Sequence, residues 1–163
     1  MAQVYVSIGS NIDRERHIRA AVAELRARFG ELRLSSVYES EAVGFDGDNF
    51  LNMAVAFDTD LDVQAVAQVL RAIEDTHGRV RSGPRFSSRT LDLDLLLYDD
   101  LVSRSDGLDV PRAEITRNAF VLQPLAEIAP EVRHPVLGNT YDELWKAFDK
   151  SSQCLWIVEF SFA

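Results

Sequence analysis

The sequence holds one cysteine in 163 residues, Cys154, so no disulfide can form within the chain. The expected compartment is therefore the reducing cytoplasm. No apolar run approaches the ~20 residues that a membrane helix needs. Met1–Ile8 lacks the basic start and long apolar stretch of a secretory signal. Positive charge is scarce as well: 17 Lys and Arg stand against 26 Asp and Glu, a net charge of −9. Nucleic-acid affinity rests mainly on cationic contacts to phosphate, so this composition argues against nucleic acid and membrane as partners. The three histidines, His17, His77 and His134, have no metal-ligand spacing. No internal repeat or low-complexity stretch is present.

What remains is ordinary globular material, 47% hydrophobic and 26% charged. The length suits a single domain spanning residues 1–163. A domain of this size buries roughly 70% of the surface its unfolded chain exposes. Cys154, just before Leu155-Trp156, is expected to be buried rather than reactive.

Gln3–Ile8 is rich in β-branched and aromatic residues and predicts a strand, broken by Gly9-Ser10-Asn11. Asp13 is placed to cap a helix whose apolar face is Ile18, Val22, Leu25 and Phe29, with Gly30 ending it. Leu32–Ser40 alternates and predicts a second strand. Glu41–Asn49 predicts a loop, and Phe50–Asp58 a third strand, central because it has little polar relief. Asp62 can cap a second helix with Val63, Val66, Ala67, Leu70 and Ile73 inward, ended by His77-Gly78. Arg79–Ser88 is a polar loop, and Leu91–Tyr98 a fourth strand. Ala119–Ile128 and Tyr141–Phe148 predict short helices, and Leu155–Phe160 a last strand. The resulting β-α-β-β-α-β order predicts an α/β (α+β) chain with a ferredoxin-like core. Its sheet is antiparallel, both helices lie on one face, and a C-terminal extension follows.

The chemistry lies between Arg79 and Asp94. Arg79, Arg81, Arg85 and Arg89 stand together with no acidic residue among them, an exception in so acidic a chain. Arginine suits polyphosphate because its planar fork meets two oxygens at once. Alone, such a run reads more readily as a solvated basic loop pairing with surface acids. Asp92 and Asp94 follow, and residues two apart on a strand point to one face. Two adjacent carboxylates repel unless a cation sits between them. Magnesium is the natural candidate, since it takes one or two carboxylates and completes its shell with phosphate oxygens and water. Cations for phosphate beside carboxylates for magnesium are the two parts that phosphoryl transfer needs.

Arg-Thr-Leu-Asp-Leu-Asp-Leu-Leu at Arg89–Leu96 resembles the signature of the 6-hydroxymethyl-7,8-dihydropterin pyrophosphokinases. Further features fall in the family's order: Gly9-Ser10-Asn11, Phe50-Leu51-Asn52, Glu74, Gly78-Arg79-Val80-Arg81, and the run from Asn118 to Pro130. The resemblance covers about residues 4–132. It implies transfer of pyrophosphate from ATP, as co-substrate, to the hydroxymethyl group of a reduced pterin in folate synthesis. It implies two magnesium ions on Asp92 and Asp94, with Asp92 also near the pterin. Arg79 and Arg89 would serve the transfer itself. Glu74, Arg81, Arg85, Phe86, Arg89, Arg112 and Arg117 would meet ATP. Ser40, Val43, Asn52, Phe50 and Phe120 would meet the pterin, the two phenylalanines on either side of its ring. ATP and the reduced pterin are the expected partners, and a monomer the expected state.

Several positions depart from the family pattern. Phe86 stands where tryptophan is usual, Pro111-Arg112 where Pro-His is usual, and Asn118 where arginine is common, with Arg117 one place earlier. The pterin-side loop, Ser40-Glu41-Ala42-Val43-Gly44, lacks the usual prolines. Three alternatives stand beside the leading reading, two raised by these changes and the third by the fold. They are a paralogue acting on a related pterin, a module that binds nucleotide or pterin with little turnover, and a ferredoxin-like nucleic-acid binder. The last is disfavoured by the charge and by the missing aromatic signature on adjacent strands.

Overall fold

A computed structural model describes residues 1–41, 48–78, 91–151 and 153–162. The elements run β1 (Ala2–Ser10), α1 (Arg14–Phe29), β2 (Arg33–Leu34), β3 (Val37–Ser40), β4 (Phe50–Thr59), α2 (Val63–Thr76) and β5 (Asp92–Tyr98). A short 3-10 helix (Ala113–Thr116), α3 (Ala119–Ile128), α4 (Tyr141–Ala147) and β6 (Leu155–Val158) follow. The strands form one antiparallel sheet in the order β5-β1-β4-β3-β6, with β2 also paired to β4. The expected ferredoxin-like order is present in β5-β1-β4-β3, and β4 is interior as its apolar sequence predicts.

Strand periodicity divides the core in two. Val4, Val6 and Ile8, with Leu51, Met53, Val55, Phe57, Leu91, Leu93 and Leu95, face α1 and α2. Ile18, Val22 and Leu25 on α1 and Val66, Leu70 and Ile73 on α2 meet them. On the opposite face Tyr5, Ala56 and Leu97 pack under Leu122, Leu125 and Tyr141 of α3 and α4. The change from Leu95 on one core to Leu96 and Leu97 on the other coincides with a bulge. Val6 pairs Leu95 while Tyr5 pairs Leu97, so Leu96 is the extra residue.

Six expectations change, the first being that β1 runs on through Gly9 to Ser10 instead of breaking at Gly9. The strand over Leu32–Ser40 is broken into β2 and β3, and its register against β4 shifts by one residue across Ser35-Ser36. The serines explain the break. Ser36 gives its backbone N–H and hydroxyl to the Glu127 carboxylate (both 2.9 Å), while Ser35 Oγ accepts the Ala54 N–H at 2.8 Å. Asp13 occupies the N-cap of α1 with a left-handed backbone (φ 46°), yet its side chain makes no cap hydrogen bond and pairs with Arg16 instead. Asp62 does cap α2, accepting the Ala65 N–H at 2.8 Å. Cys154 is exposed, because β6 begins one residue later at the rim of the sheet. The last strand stops at Val158 rather than Phe160, and α4 ends at Ala147, one residue before Phe148. No helix among the described residues is long and apolar enough to cross a membrane.

Two buried histidines are held neutral. His134 Nδ1 accepts the N–H groups of Val136 (3.2 Å) and Leu137 (3.1 Å), so that nitrogen carries no proton. Burial, then Arg104, holds its pKa below the ordinary value. His17 Nδ1 lies 2.6 Å from His77 Nδ1, and His77 Nε2 lies 2.8 Å from Glu24 Oε2, so this chain joins α1 to the end of α2. Burial, then His77 and Arg16, lower His17, with Asp13 opposing them. For a base whose folded pKa is depressed, the unfolded chain takes up protons that the native state refuses. Stability is therefore complete above the unfolded value of about 6.5 and is lost as pH falls below it. The unfolding free energy should drop between about pH 7.5 and about pH 5.5, by no more than about 1.4 kcal/mol per pH unit for each histidine, and the thermal midpoint should fall with it. His134→Asn, whose Oδ1 can stand in for Nδ1 as acceptor, should flatten that slope. An unchanged slope would remove His134 from the account.

Candidate active site

Asp92 and Asp94 open β5, the edge strand of the sheet. Their partners on β1 are Gly9 and Ser7. Gly9 in turn pairs Asn52 on β4, and Asn52 pairs Tyr38 on β3. One row across four strands thus carries Asp92, Gly9, Asn52 and Tyr38 on the face opposite α1 and α2. Glycine makes room in that row: a Cβ at position 9 would lie 3.1 Å from Asn52 Oδ1, tighter than ordinary contact. The bare backbone leaves room for the Asn52 amide, whose Nδ2 donates to Ser40 Oγ at 2.7 Å. Both residues are buried. Phe50 lies on the same face, two residues before Asn52, with its ring edge 3.9 Å from the same Cβ position.

The carboxylate end is crowded with acids. Glu74, in the last turn of α2, is 4% exposed and accepts the Leu93 N–H at 2.8 Å. That N–H points outward from an edge strand, and a buried donor there needs a partner. Arg112 follows the crossing segment and is fixed by its own N–H to the Leu96 carbonyl at 3.0 Å. Its guanidinium reaches Asp94 (3.3 Å) and Glu114 (3.2 Å). Desolvation, then the neighbouring Asp92, pushes the Asp94 carboxyl well above the usual carboxylate range, while Arg112 pulls it back. Asp94, Asp92, Glu74, Leu70, Val110 and Arg112 are among the residues bounding a cavity of ≈ 200 Å³ between β5 and α2. No group of three or more His, Cys, Asp or Glu residues able to hold a metal occurs among the described residues. Two carboxylates that leave the rest of the shell to phosphate and water are a donor set for a hard cation such as magnesium.

At the other end of the row, Arg14 closes the β3–β4 connection. One guanidinium nitrogen donates to the Asn49 carbonyl at 3.1 Å and another to Glu39 Oε1 at 3.3 Å. Asn49 Nδ2 donates to Glu39 Oε2 at 3.0 Å, so three side chains join α1 to both ends of the loop. The Asn49 hydrogen bond, with Arg14 behind it, holds the Glu39 carboxyl below its usual range. On the opposite side of the sheet, Glu127 of α3 accepts the Tyr38 hydroxyl at 2.6 Å. That bond sets α3, and with it Phe120 in its first turn, over β3 and β4.

The structure therefore brings together Asp92, Asp94, Glu74 and Arg112 at one end, and Ser40, Phe50 and Asn52 at the other. Phe120 is half-buried against the second core. Arg117 is exposed, and its carbonyl accepts from Gln153 Nε2 at 2.9 Å. Val43, Arg79, Arg81, Arg85, Phe86 and Arg89 lie outside the described residues. Sequence reasoning missed Glu114 and the Arg14–Glu39–Asn49 link. Their residue types suit surface positions, and only the register of β3 against β4 brings Glu39 within reach of Arg14.

Comparison with known proteins meets this geometry from another side. Residues 5–130 match the family model for 7,8-dihydro-6-hydroxymethylpterin-pyrophosphokinase (HPPK). The 2-amino-4-hydroxy-6-hydroxymethyldihydropteridine pyrophosphokinase of Bacillus subtilis is 38% identical over 150 residues, covering 87% of this chain and 89% of that relative. The protein of the same name from Pseudomonas aeruginosa is 39% identical over 137 residues, 82% of this chain and 84% of that one. Among solved structures, the Plasmodium falciparum HPPK-DHPS with pterin and p-hydroxybenzoate aligns at a TM-score of 0.71 and 15% identity, over 89% of this chain. The present chain spans 42% of that longer one, and the likeness bears on the fold alone.

Removing the Glu74 acceptor leaves the buried Leu93 N–H without a partner. Glu74→Ala should cost about 1–3 kcal/mol in urea denaturation, and Glu74→Gln, which keeps an acceptor, clearly less. Equal losses for the two variants would show that the hydrogen bond to β5 is not what Glu74 supplies.

Proposed function

The chain belongs to the 7,8-dihydro-6-hydroxymethylpterin-pyrophosphokinase family; we propose that it transfers pyrophosphate from ATP to the hydroxymethyl group of 6-hydroxymethyl-7,8-dihydropterin, releasing AMP, in folate biosynthesis. The observation that carries this reading is the single row of Asp92, Gly9 and Asn52. It sets the Asp92 carboxylate, suited with Asp94 to metal and phosphate, two strands away from a buried amide suited to a heterocycle.

In this reading Asn52, held by Ser40, offers its amide to the pterin edge, and Phe50 and Phe120 supply apolar faces to the ring. The hydroxymethyl oxygen bonds to the β-phosphorus of ATP as the bond from that phosphorus to the AMP oxygen breaks, and the hydroxyl proton leaves. Such a transfer asks the protein for in-line positioning and for neutralisation of charge, with little covalent chemistry. Asp92 and Asp94 are the residues to hold two magnesium ions, which when bound neutralise phosphate oxygens. Arg79, Arg81, Arg85 and Arg89 are the further phosphate partners, with Phe86 and Arg117 on the nucleotide side. Glu74 acts on this site by holding β5, through the Leu93 N–H.

Protein mixed with ATP, magnesium and 6-hydroxymethyl-7,8-dihydropterin should release AMP only when the pterin is present. Asp92→Ala and Asp94→Ala should each lower that turnover at least about 100-fold while the circular-dichroism spectrum is retained. Pterin-independent AMP, or variants as active as the parent, would overturn the assignment.

A further inference from the structure

The guanidinium of Arg112 lies against Asp94, one of the two carboxylates proposed to hold metal. It is not a loose surface side chain. Its backbone is tied to Leu96 at the end of β5, and its side chain runs back along the edge strand to Asp94. A single nitrogen, Nη2, meets both Asp94 Oδ1 (3.3 Å) and Glu114 Oε1 (3.2 Å). Its Nε is sealed from solvent and, among the described residues, donates to nothing. An arginine with a buried, unused donor is under-satisfied by two carboxylates alone. It has capacity left for another acceptor, and the cavity beside it is where that acceptor would enter.

We infer that Arg112 is a resident counter-cation for the carboxylate pair, one that makes metal binding depend on nucleotide. The inference rests on the proposed role of Asp92 and Asp94. Before nucleotide binds, the guanidinium neutralises Asp94 and Glu114, so a divalent cation arriving alone meets a carboxylate already paired and a positive charge close by. The two cations repel at short range through a poorly hydrated medium. A nucleotide changes the balance. Its phosphate oxygens give Arg112 a new planar partner and can use the idle Nε, so the guanidinium moves off Asp94 at little cost. The metal and the polyphosphate then bind as one unit. This is a coupling between two ligands, and it is reciprocal: nucleotide tightens metal as much as metal tightens nucleotide.

The test is calorimetry of Mg2+ binding to the full chain at fixed pH and ionic strength, without pterin. It is run with and without the α,β-methylene analogue of ATP, whose bridging carbon cannot be cleaved. Arg112→Gln should bind Mg2+ alone at least about ten-fold more tightly than the parent, because a competing charge is gone. The tightening of Mg2+ by the nucleotide analogue should shrink by a similar factor. Arg112→Lys, which keeps the charge, should stay near the parent in Mg2+ alone. Glu114→Gln should shift the other way, since Arg112 then has Asp94 to itself, and free Mg2+ should bind more weakly. Unchanged or weaker binding of Mg2+ by Arg112→Gln overturns the inference. If that variant does not fold, unchanged or tighter Mg2+ binding by Glu114→Gln overturns it instead. A parent that forms AMP with pterin while Arg112→Gln leaves the coupling intact refutes this inference alone. A parent that binds no Mg2+ even with the analogue, and forms no AMP, refutes the functional assignment beneath it.

Discussion

Two carboxylates side by side on a poorly hydrated strand repel, and the chain answers that repulsion before any substrate arrives. Asp92 and Asp94 are forced onto one face by the two-residue period of β5. Asp94 has lost much of its water, which favours its neutral form. The arrangement persists because neighbouring groups fix it. Arg112 supplies opposite charge at 3.3 Å, and Glu74 holds the strand through the intervening Leu93 N–H at 2.8 Å. An edge strand with an unsatisfied buried donor would otherwise be free to shift, and a shift of one residue would turn both carboxylates to the other face.

The same sheet serves two purposes because its faces differ. The face toward α1 and α2 is filled mainly by large aliphatic side chains and Phe57, which form a packed core. The opposite face changes along its length. Under α3 and α4 it is Tyr5, Ala56 and Leu97, which close a second core. Toward the start of β5 it becomes Gly9, Asn52 and Ser40, small or hydrogen-bonding groups beside the carboxylates. The core on one face makes the register rigid, and the register places the chemistry on the other. Gly9 shows how closely the two are linked, because even one added carbon would meet the Asn52 amide at 3.1 Å.

Most of this arrangement was legible in the sequence, for identifiable reasons. Period-two alternation in Leu91–Leu95 assigned Asp92 and Asp94 to one face correctly, since strand geometry leaves no alternative. The apolar faces of α1 and α2 carried enough signal to place both helices. Ser35-Ser36 was read as part of one strand because alternation continues through it. The break comes from Glu127, more than ninety residues away, and such a partner has no local signature. The family resemblance makes Arg112 an expected ATP contact, and nothing in the sequence marks it as the partner of Asp94. That pairing needs the hydrogen bond from its backbone to Leu96, which depends on how residues after β5 fold back along its edge. The exposure of Cys154 was missed for a similar reason: its neighbours are apolar, yet they sit on the outermost strand, where Trp156 and Ile157 are exposed too.

A chain of net charge −9 that handles a polyphosphate must gather cations at one place and keep them useful when the substrate is absent. Arg112 illustrates how one residue meets both needs. Its guanidinium keeps its charge at any physiological pH, so its pairing with Asp94 and Glu114 does not lapse as a histidine's could. Its planar shape allows the same group to exchange carboxylate for phosphate with the geometry of the hydrogen bonds preserved. Burial works against its charge, but Asp94 and Glu114 together outweigh that, raise its pKa and hold it at the cavity wall. On the proposed reading the acidity of the protein is compatible with an anionic substrate, because Asp94 and Glu114 are matched to a cation that phosphate takes over.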